Sequence, residues 1–170
     1  MNLEAFVDKK SFLKTVTTEH DHWFQLVAKI KPGEMVESGV CGAWSVKDII
    51  AHITWYEHEM IPLMIQHRLI GSELWDVPTD QRNAILFEQN RNRPIKKVLE
   101  ESRQVYDAFL QALINLTDDD LMDATHFQDM PADWVPWKII AENSSEHYQQ
   151  HIPGLVAWVK SKKPQGARHK

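Results

Sequence analysis

The chain has 170 residues, a net charge of −5, 43% apolar residues and 25% charged residues, which are the proportions of one ordinary globular domain. The acidic balance gives no reason to expect a nucleic-acid partner. No apolar run is long enough to span a membrane, and the N-terminus lacks the pattern of a secretory signal. The single cysteine, Cys41, excludes an intrachain disulfide and fits a reducing compartment. We therefore expect a cytoplasmic protein with no nucleic-acid or membrane partner.

The first half of the chain carries two segments with helical periodicity. The first spans about residues 9 to 31, and Asp8 precedes it as a plausible N-cap. The second spans about residues 45 to 69, with Ser45 as its cap and an acidic residue, Asp48, in its first turn. The inward-facing line of this second helix consists of Ile49, His52, Tyr56, Met60 and Leu63.

The second half adds two more helices. The third is predicted over about residues 94 to 115, where Pro94 suits a first helical position. The fourth is predicted as one helix over about residues 136 to 162. Its inward line consists of Trp137, Ile140, Ser144, His147, His151, Leu155 and Trp158. No segment shows convincing strand alternation.

The connections between these helices differ in length and kind. Residues 32 to 44 read as a loop with three glycines, residues 78 to 90 as a shorter extra helix, and residues 117 to 135 as a capped turn followed by an irregular stretch. Four amphipathic helices predict an all-α fold, a four-helix bundle with long crossover connections. We expect a single domain over residues 1 to 163 and a flexible C-terminal tail over residues 164 to 170.

Three histidines lie on inward-facing helix positions. His147 and His151 are four residues apart, so their side chains project from one helix face about one turn from each other. His52 lies on the inward line of the second helix. Burying imidazoles costs free energy unless each finds a partner, and one metal ion would supply a partner to all three. From spacing alone, a metal site and a buried polar network both remain open.

Other candidates for chemistry are weaker. His20 also faces inward, between Val16 and Trp23, and could be a fourth ligand, a donor to a ligand or a polar core residue. The remaining histidines read as solvent-facing or as loop residues. The chain has no glycine-rich phosphate loop and no nucleophile elbow. Cys41 lies in a loop, where a thiol is more often incidental than reactive.

Two stretches resemble the DinB-like superfamily of four-helix bundles. They are WSVKDIIAH at residues 44–52 and NSSEHYQQHIPGL at residues 143–155, and the second is most similar to the branch related to bacterial colibactin self-protection proteins. The resemblance implies a divalent metal ion, zinc or nickel, held by His52, His147 and His151. It further implies enzymes that use low-molecular-weight thiols, roles in stress or toxin resistance, and homodimers.

Two functions are consistent with these patterns. The first is a metal-dependent enzyme, a transferase or hydrolase acting on a small molecule, because three protein ligands leave a coordination position open. Its activity should fall below about pH 6 to 6.5, since the ligands must be neutral. Residues placed to orient a ligand or to contact substrate are Asp48, Tyr56, Asn143 and Tyr148. The second is a non-catalytic protective protein that binds a reactive small molecule.

Overall fold

The computed structural model describes residues 7–162, and the predicted tail at residues 164–170 lies outside this range. The described residues form seven α-helices: α1 Lys9–Val27, α2 Val46–Gln66, α3 Thr79–Asn90, α4 Ile95–Asn115, α5 Asp118–Met122, α6 Pro136–Glu142 and α7 Ser145–Lys162. Three short 3-10 helices, Glu34–Val36, Glu73–Asp76 and Ala124–His126, lie in the connections. None of the helices within residues 7–162 combines the length and apolarity that a membrane span requires.

The four long helices α1, α2, α4 and α7 form the bundle, in the order α1, α4, α2, α7 around its axis. One part of the core joins the first half of α1 to the last halves of α2 and α4, around Phe12, Met64 and Phe109. The other part joins Trp23 of α1 to residues early in α2 and late in α7, such as Leu155. Helices α2 and α4 are therefore parallel to each other and antiparallel to α1 and α7. The all-α bundle predicted from the sequence is confirmed.

The parallel arrangement of α2 and α4 explains one long connection. The chain must return along the length of the bundle between them, and the return carries the Glu73–Asp76 3-10 helix and α3. The extra helix expected over residues 78 to 90 is confirmed as α3. A capped turn expected at Thr117 is also confirmed, because the Thr117 hydroxyl accepts a hydrogen bond from the Asp120 N–H at the start of α5.

The helix starts follow the predicted caps. The Asp8 carboxylate accepts a hydrogen bond from the Ser11 N–H at the start of α1. At the start of α2, Ser45 and Asp48 form a reciprocal capping box. Each cap supplies a partner to a backbone donor that has none inside the helix. The capping box fixes the first turn of α2, and His52 projects from the second turn.

The chain between α1 and α2 differs from the prediction in two ways. Helix α1 ends at Val27, four residues earlier than predicted. The residues that follow form turns, in which the N–H groups of Lys29 and Ile30 each donate to the carbonyl three residues before. The predicted loop contains an antiparallel hairpin, β1 Ser38–Cys41 with β2 Trp44–Ser45. These strands are too short for alternation to be visible in the sequence. Gly42, at φ 58°, takes the left-handed conformation in the turn between them.

The predicted fourth helix is interrupted. Residues 136 to 162 form α6 and α7 with a break at Asn143 and Ser144. The Asn143 amide donates to the Ile139 carbonyl at 2.7 Å, and the Ser144 hydroxyl donates to the Ile140 carbonyl at 2.6 Å. Such side chains compete with the helical backbone for its carbonyl groups. The prediction of one continuous helix was wrong, and α7 starts anew two residues before His147.

Candidate metal centre

The three predicted histidines meet between α2 and α7. Nitrogen atoms of His52, His147 and His151 all lie within 4.8 Å of one another. The His52 Nε2 and His147 Nε2 atoms are 2.9 Å apart. Among residues 7–162 this is the one group of three or more histidine, cysteine or acidic side chains whose ligating atoms all lie this close to one another.

Burial keeps these imidazoles neutral. His52 and His147 are buried and His151 is half-buried. Desolvation lowers the pKa of His52 to about 2 and that of His147 to about 3, and it also lowers the pKa of His151. Neutral imidazoles have free lone pairs, which is the form that binds a metal ion. Protons should therefore compete with a metal ion only at a lower pH than the ordinary histidine pKa of 6.5 suggests.

Two of the buried histidine rings have a nitrogen atom without a hydrogen-bond partner. The Nδ1 atoms of His52 and His147 are buried and have no hydrogen-bond partner. A buried polar atom without a partner costs about 1 to 3 kcal/mol. The cluster therefore retains polar groups that a ligand could satisfy, and three imidazoles at this separation are a donor set that zinc or nickel accepts.

Aromatic side chains surround the cluster. The Tyr56 ring lies 4.8 Å from the rings of both His52 and His147, measured between ring centroids. Trp44, in the hairpin, lies edge-on to His52 at 5.2 Å. The hairpin that the sequence did not predict therefore contributes one wall of the site.

Of the four additional residues chosen from the sequence, only Tyr56 has a described contact with the histidines. The Asp48 carboxylate accepts from the Ser45 N–H and hydroxyl, at 2.9 and 2.6 Å, so it serves the cap of α2. Asn143 ends α6 and donates to a backbone carbonyl. The Tyr148 hydroxyl donates to Glu57, on another side of α7 from His147. The structure gives Asp48, Asn143 and Tyr148 other partners than the cluster.

Tyr148 belongs to a second buried polar group, which the sequence did not indicate. Glu57 is 1% exposed, and burial raises the pKa of its carboxyl group to about 8. Burial, and after it the nearby Glu57, raises the pKa of the Tyr106 hydroxyl. His20 stacks on Tyr106 with ring centroids 3.3 Å apart, and burial lowers the His20 pKa to about 4. His20 is thus a polar core residue and not part of the histidine cluster.

A cavity of about 690 Å³ opens beyond Tyr56. Met60, one turn after Tyr56 on α2, lies in its lining together with Trp75, Trp134 and Asn143. The Trp75 ring contacts the Tyr56 ring at 5.6 Å, so Tyr56 contacts both a residue of the cavity lining and the histidines.

Arg82 is a further residue that sequence reasoning missed. It lies on α3, is 7% exposed, and has its guanidinium carbon 4.4 Å from the centroid of the Trp75 ring and 5.6 Å from that of Tyr56. The signal in the sequence was weak: Arg82, Leu86 and Asn90 recur at four-residue intervals, and all three are buried. An arginine at the start of a polar helix is more typical of a solvent-exposed face.

Comparisons with known proteins agree with this architecture. An uncharacterised protein from Escherichia coli UTI89 has 14% sequence identity and a TM-score of 0.74, over 91% of this chain and 94% of that one. The protein titled Sibling Lethal Factor Precursor - DfsB has 12% identity and a TM-score of 0.77, over 94% of this chain and 99% of that one. A protein from Streptococcus pneumoniae has 8% identity and a TM-score of 0.79, over 95% and 96%. At these identities the likeness shows the fold alone.

Sequence comparison identifies the family. None of the curated proteins matches the chain significantly. The model of the DinB superfamily matches residues 15–152, a span that includes His52, His147 and His151. The resemblance seen in the two histidine-bearing stretches is confirmed, and the chain belongs to the DinB superfamily.

Proposed function

We propose that His52, His147 and His151 hold one divalent metal ion and that the chain is a metal-dependent enzyme acting on a small molecule. The observation that carries the proposal is the convergence of three imidazoles, with nitrogen atoms within 4.8 Å of one another, from two different helices. Two of these imidazoles are buried and stay neutral, which favours metal binding over protonation.

A set of three histidine ligands favours a catalytic metal site over a structural one. Three histidines leave at least one coordination position for a substrate, in contrast to the four protein ligands of a structural zinc site. Zinc or nickel suits imidazole ligands. When bound, such an ion supplies Lewis acidity and lowers the pKa of a group that it coordinates. The chain itself would orient the substrate with the rings of Tyr56 and Trp44 and exclude water from the buried side of the cluster.

The reaction class is proposed from the family. The resemblance to DinB-like proteins favours a transferase or hydrolase, with a low-molecular-weight thiol as co-substrate, in detoxification or the response to stress. The printed name of the structural neighbour DfsB mentions a sibling lethal factor, which favours toxins as one substrate group to test. A homodimer and a cytoplasmic location remain predictions.

The experiment compares metal-loaded protein with the same protein after removal of metal by a chelator. Thiol transfer to model electrophiles and ester hydrolysis are measured for wild type, His147→Ala and the matched control His58→Ala, whose histidine is exposed on α2. We expect activity that disappears with the metal, returns when zinc or nickel is added back, and is absent only in His147→Ala. Equal activity in chelated and reloaded protein would contradict a metal-dependent enzyme.

A second candidate function is non-catalytic binding of a reactive small molecule. The cavity of about 690 Å³ favours it, because the volume suits a drug-sized ligand and the lining includes Met60, Trp75 and Trp134. In that case a triple alanine variant at the three histidines should bind and protect as well as wild type. Loss of protection on removal of the metal would favour the enzyme instead.

A further inference from the structure

Arg82 is a buried positive charge without an acidic partner. Its side chain is 7% exposed, and its Nε and Nη1 atoms are buried and have no hydrogen-bond partner. Only Nη2 donates a hydrogen bond, to the Thr79 hydroxyl at 3.1 Å. Within residues 7–162, no aspartate or glutamate forms an ion pair with this guanidinium.

This arrangement destabilises the ligand-free protein. Removing a charged group from water is costly unless an opposite charge lies beside it. The aromatic faces of Trp75 and Tyr56 offset only part of this cost, since a cation–π contact is weaker than the lost hydration. Residues that lower stability in this way are characteristic of ligand-binding sites, where a ligand provides the missing partner.

Arg82 is also a neighbour of the histidine cluster. The Tyr56 ring is shared, because it contacts the guanidinium on one side and the rings of His52 and His147 on others. The positive charge of Arg82 acts on His52, whereas no acidic side chain contributes to the electrostatic environment of either buried histidine. A divalent ion on the histidines would add to this positive charge. The buried carboxylate of Glu59 lies at the edge of Trp75, where it accepts from the Trp75 Nε1–H and the Ser72 N–H, and it forms no ion pair with Arg82.

We propose that Arg82 is the anion-binding residue of this centre and that the substrate is a small molecule bearing a carboxylate. The free guanidinium nitrogens are enclosed in the ligand-free protein, so neighbouring side chains must move before the carboxylate can accept hydrogen bonds from them and neutralise the buried charge. Because Trp75 covers a face of the guanidinium, the anion approaches within the guanidinium plane. The rings of Trp75 and Tyr56 beside the guanidinium favour a carboxylate attached to an apolar body over inorganic phosphate. As the substrate-recognition part of the proposed enzyme, this inference rests on the proposed function, but anion binding can be measured without any metal.

The test measures thermal stability of metal-free protein with sodium benzoate at constant ionic strength. Benzamide, which has the same shape and no charge, is the matched ligand control, and inorganic phosphate tests a tetrahedral anion. We expect saturating benzoate to raise the wild-type midpoint temperature by about 5 °C or more, with little effect of benzamide and a smaller effect of phosphate.

Two variants locate the binding site. Arg82→Met removes the charge but keeps an unbranched side chain, and we expect a higher midpoint than wild type without ligand and no response to benzoate. Arg82→Lys keeps the charge with different donor geometry, and we expect a weaker response. Arg91→Met, at an exposed arginine just after α3, is the matched control and should respond as wild type does.

Each remaining outcome would overturn the inference. No response of wild type to benzoate would mean that the centre does not take a carboxylate. An equal response of Arg82→Met would place the anion elsewhere on the protein.

Metal content separates this inference from the proposed function. Arg82→Met should retain the metal while losing the benzoate response. If wild-type protein binds no metal, the enzyme proposal fails, and the benzoate response still decides the role of Arg82.

Discussion

Glu57 gives the sharpest prediction for stability. Its carboxyl group is 1% exposed and contacts the Tyr148 hydroxyl, and burial raises its pKa from 4.5 to about 8. In the unfolded chain the same group ionises near its ordinary pKa. The folded protein therefore holds a proton that the unfolded chain releases between pH 4.5 and 8. The associated stability is fully present below pH 4.5 and is lost as the pH rises towards 8.

The variant Glu57→Gln keeps the shape and an acceptor oxygen for Tyr148 but cannot ionise. Each pH unit within the window changes the free energy of unfolding by about 1.4 kcal/mol for one proton. Between pH 5 and pH 8, the stability of Glu57→Gln relative to wild type should therefore rise by about 3 to 4 kcal/mol. The assay is urea unfolding of both proteins at half-unit pH steps. Because the variant is compared with wild type at each pH, titration of other groups cancels.

Glu100→Gln is the matched control for Glu57→Gln. Glu100 is exposed and pairs with Lys97, so its substitution should change stability by less than about 0.5 kcal/mol at every pH. A stability difference between Glu57→Gln and wild type that stays constant from pH 5 to 8 would refute the reasoning. It would mean that the folded protein ionises Glu57 as readily as the unfolded chain does.

Three further predictions follow from the site and its supports. Ser45→Ala removes the hydroxyl of the α2 capping box and should cost about 1 kcal/mol by urea unfolding, with metal content unchanged. Tyr56→Phe loses only a 3.3 Å hydrogen bond to Asn83 and keeps the ring contacts, so elemental analysis should find the wild-type metal content. A loss of metal in this variant would show that the hydroxyl has a direct role in metal binding. In metal-free protein, the lowered pKa values of His52 and His147 contribute stability that is fully present above pH 6.5. This contribution falls as the pH drops towards 3, by up to about 1.4 kcal/mol per pH unit for each histidine. Measured by urea unfolding, the double variant His52→Gln/His147→Gln should lose clearly less stability than wild type between pH 6.5 and 5.

The histidine cluster could be predicted because its signals are local. His147 and His151 are one turn apart, and His52 lies on a helical line of buried residues. Helical periodicity therefore identified which side chains point inward without knowledge of the tertiary structure. The caps at Asp8 and Ser45 were predictable for the same reason, since a cap depends on neighbouring residues alone.

The partners of the site could not be predicted, because they depend on packing between distant segments. Glu57 and Tyr148 are 91 residues apart in sequence, and each looks ordinary in its own helix. Arg82 reads as a surface residue until α3 is seen to place it against Trp75 and Tyr56. The break between α6 and α7 was also missed, because Asn143 and Ser144 fit the helical period while their side chains bond the carbonyl groups of the preceding turn.

The central claim is that three histidines hold one metal ion, and metal content tests it most directly. Elemental analysis is made on protein purified without a polyhistidine tag, beside His147→Ala/His151→Ala and the exposed control His58→Ala. We expect about one equivalent of zinc or nickel in wild type and in His58→Ala, and almost none in the double variant. A wild-type protein that holds no metal and takes up none on titration would contradict the claim, as would equal metal content in the double variant.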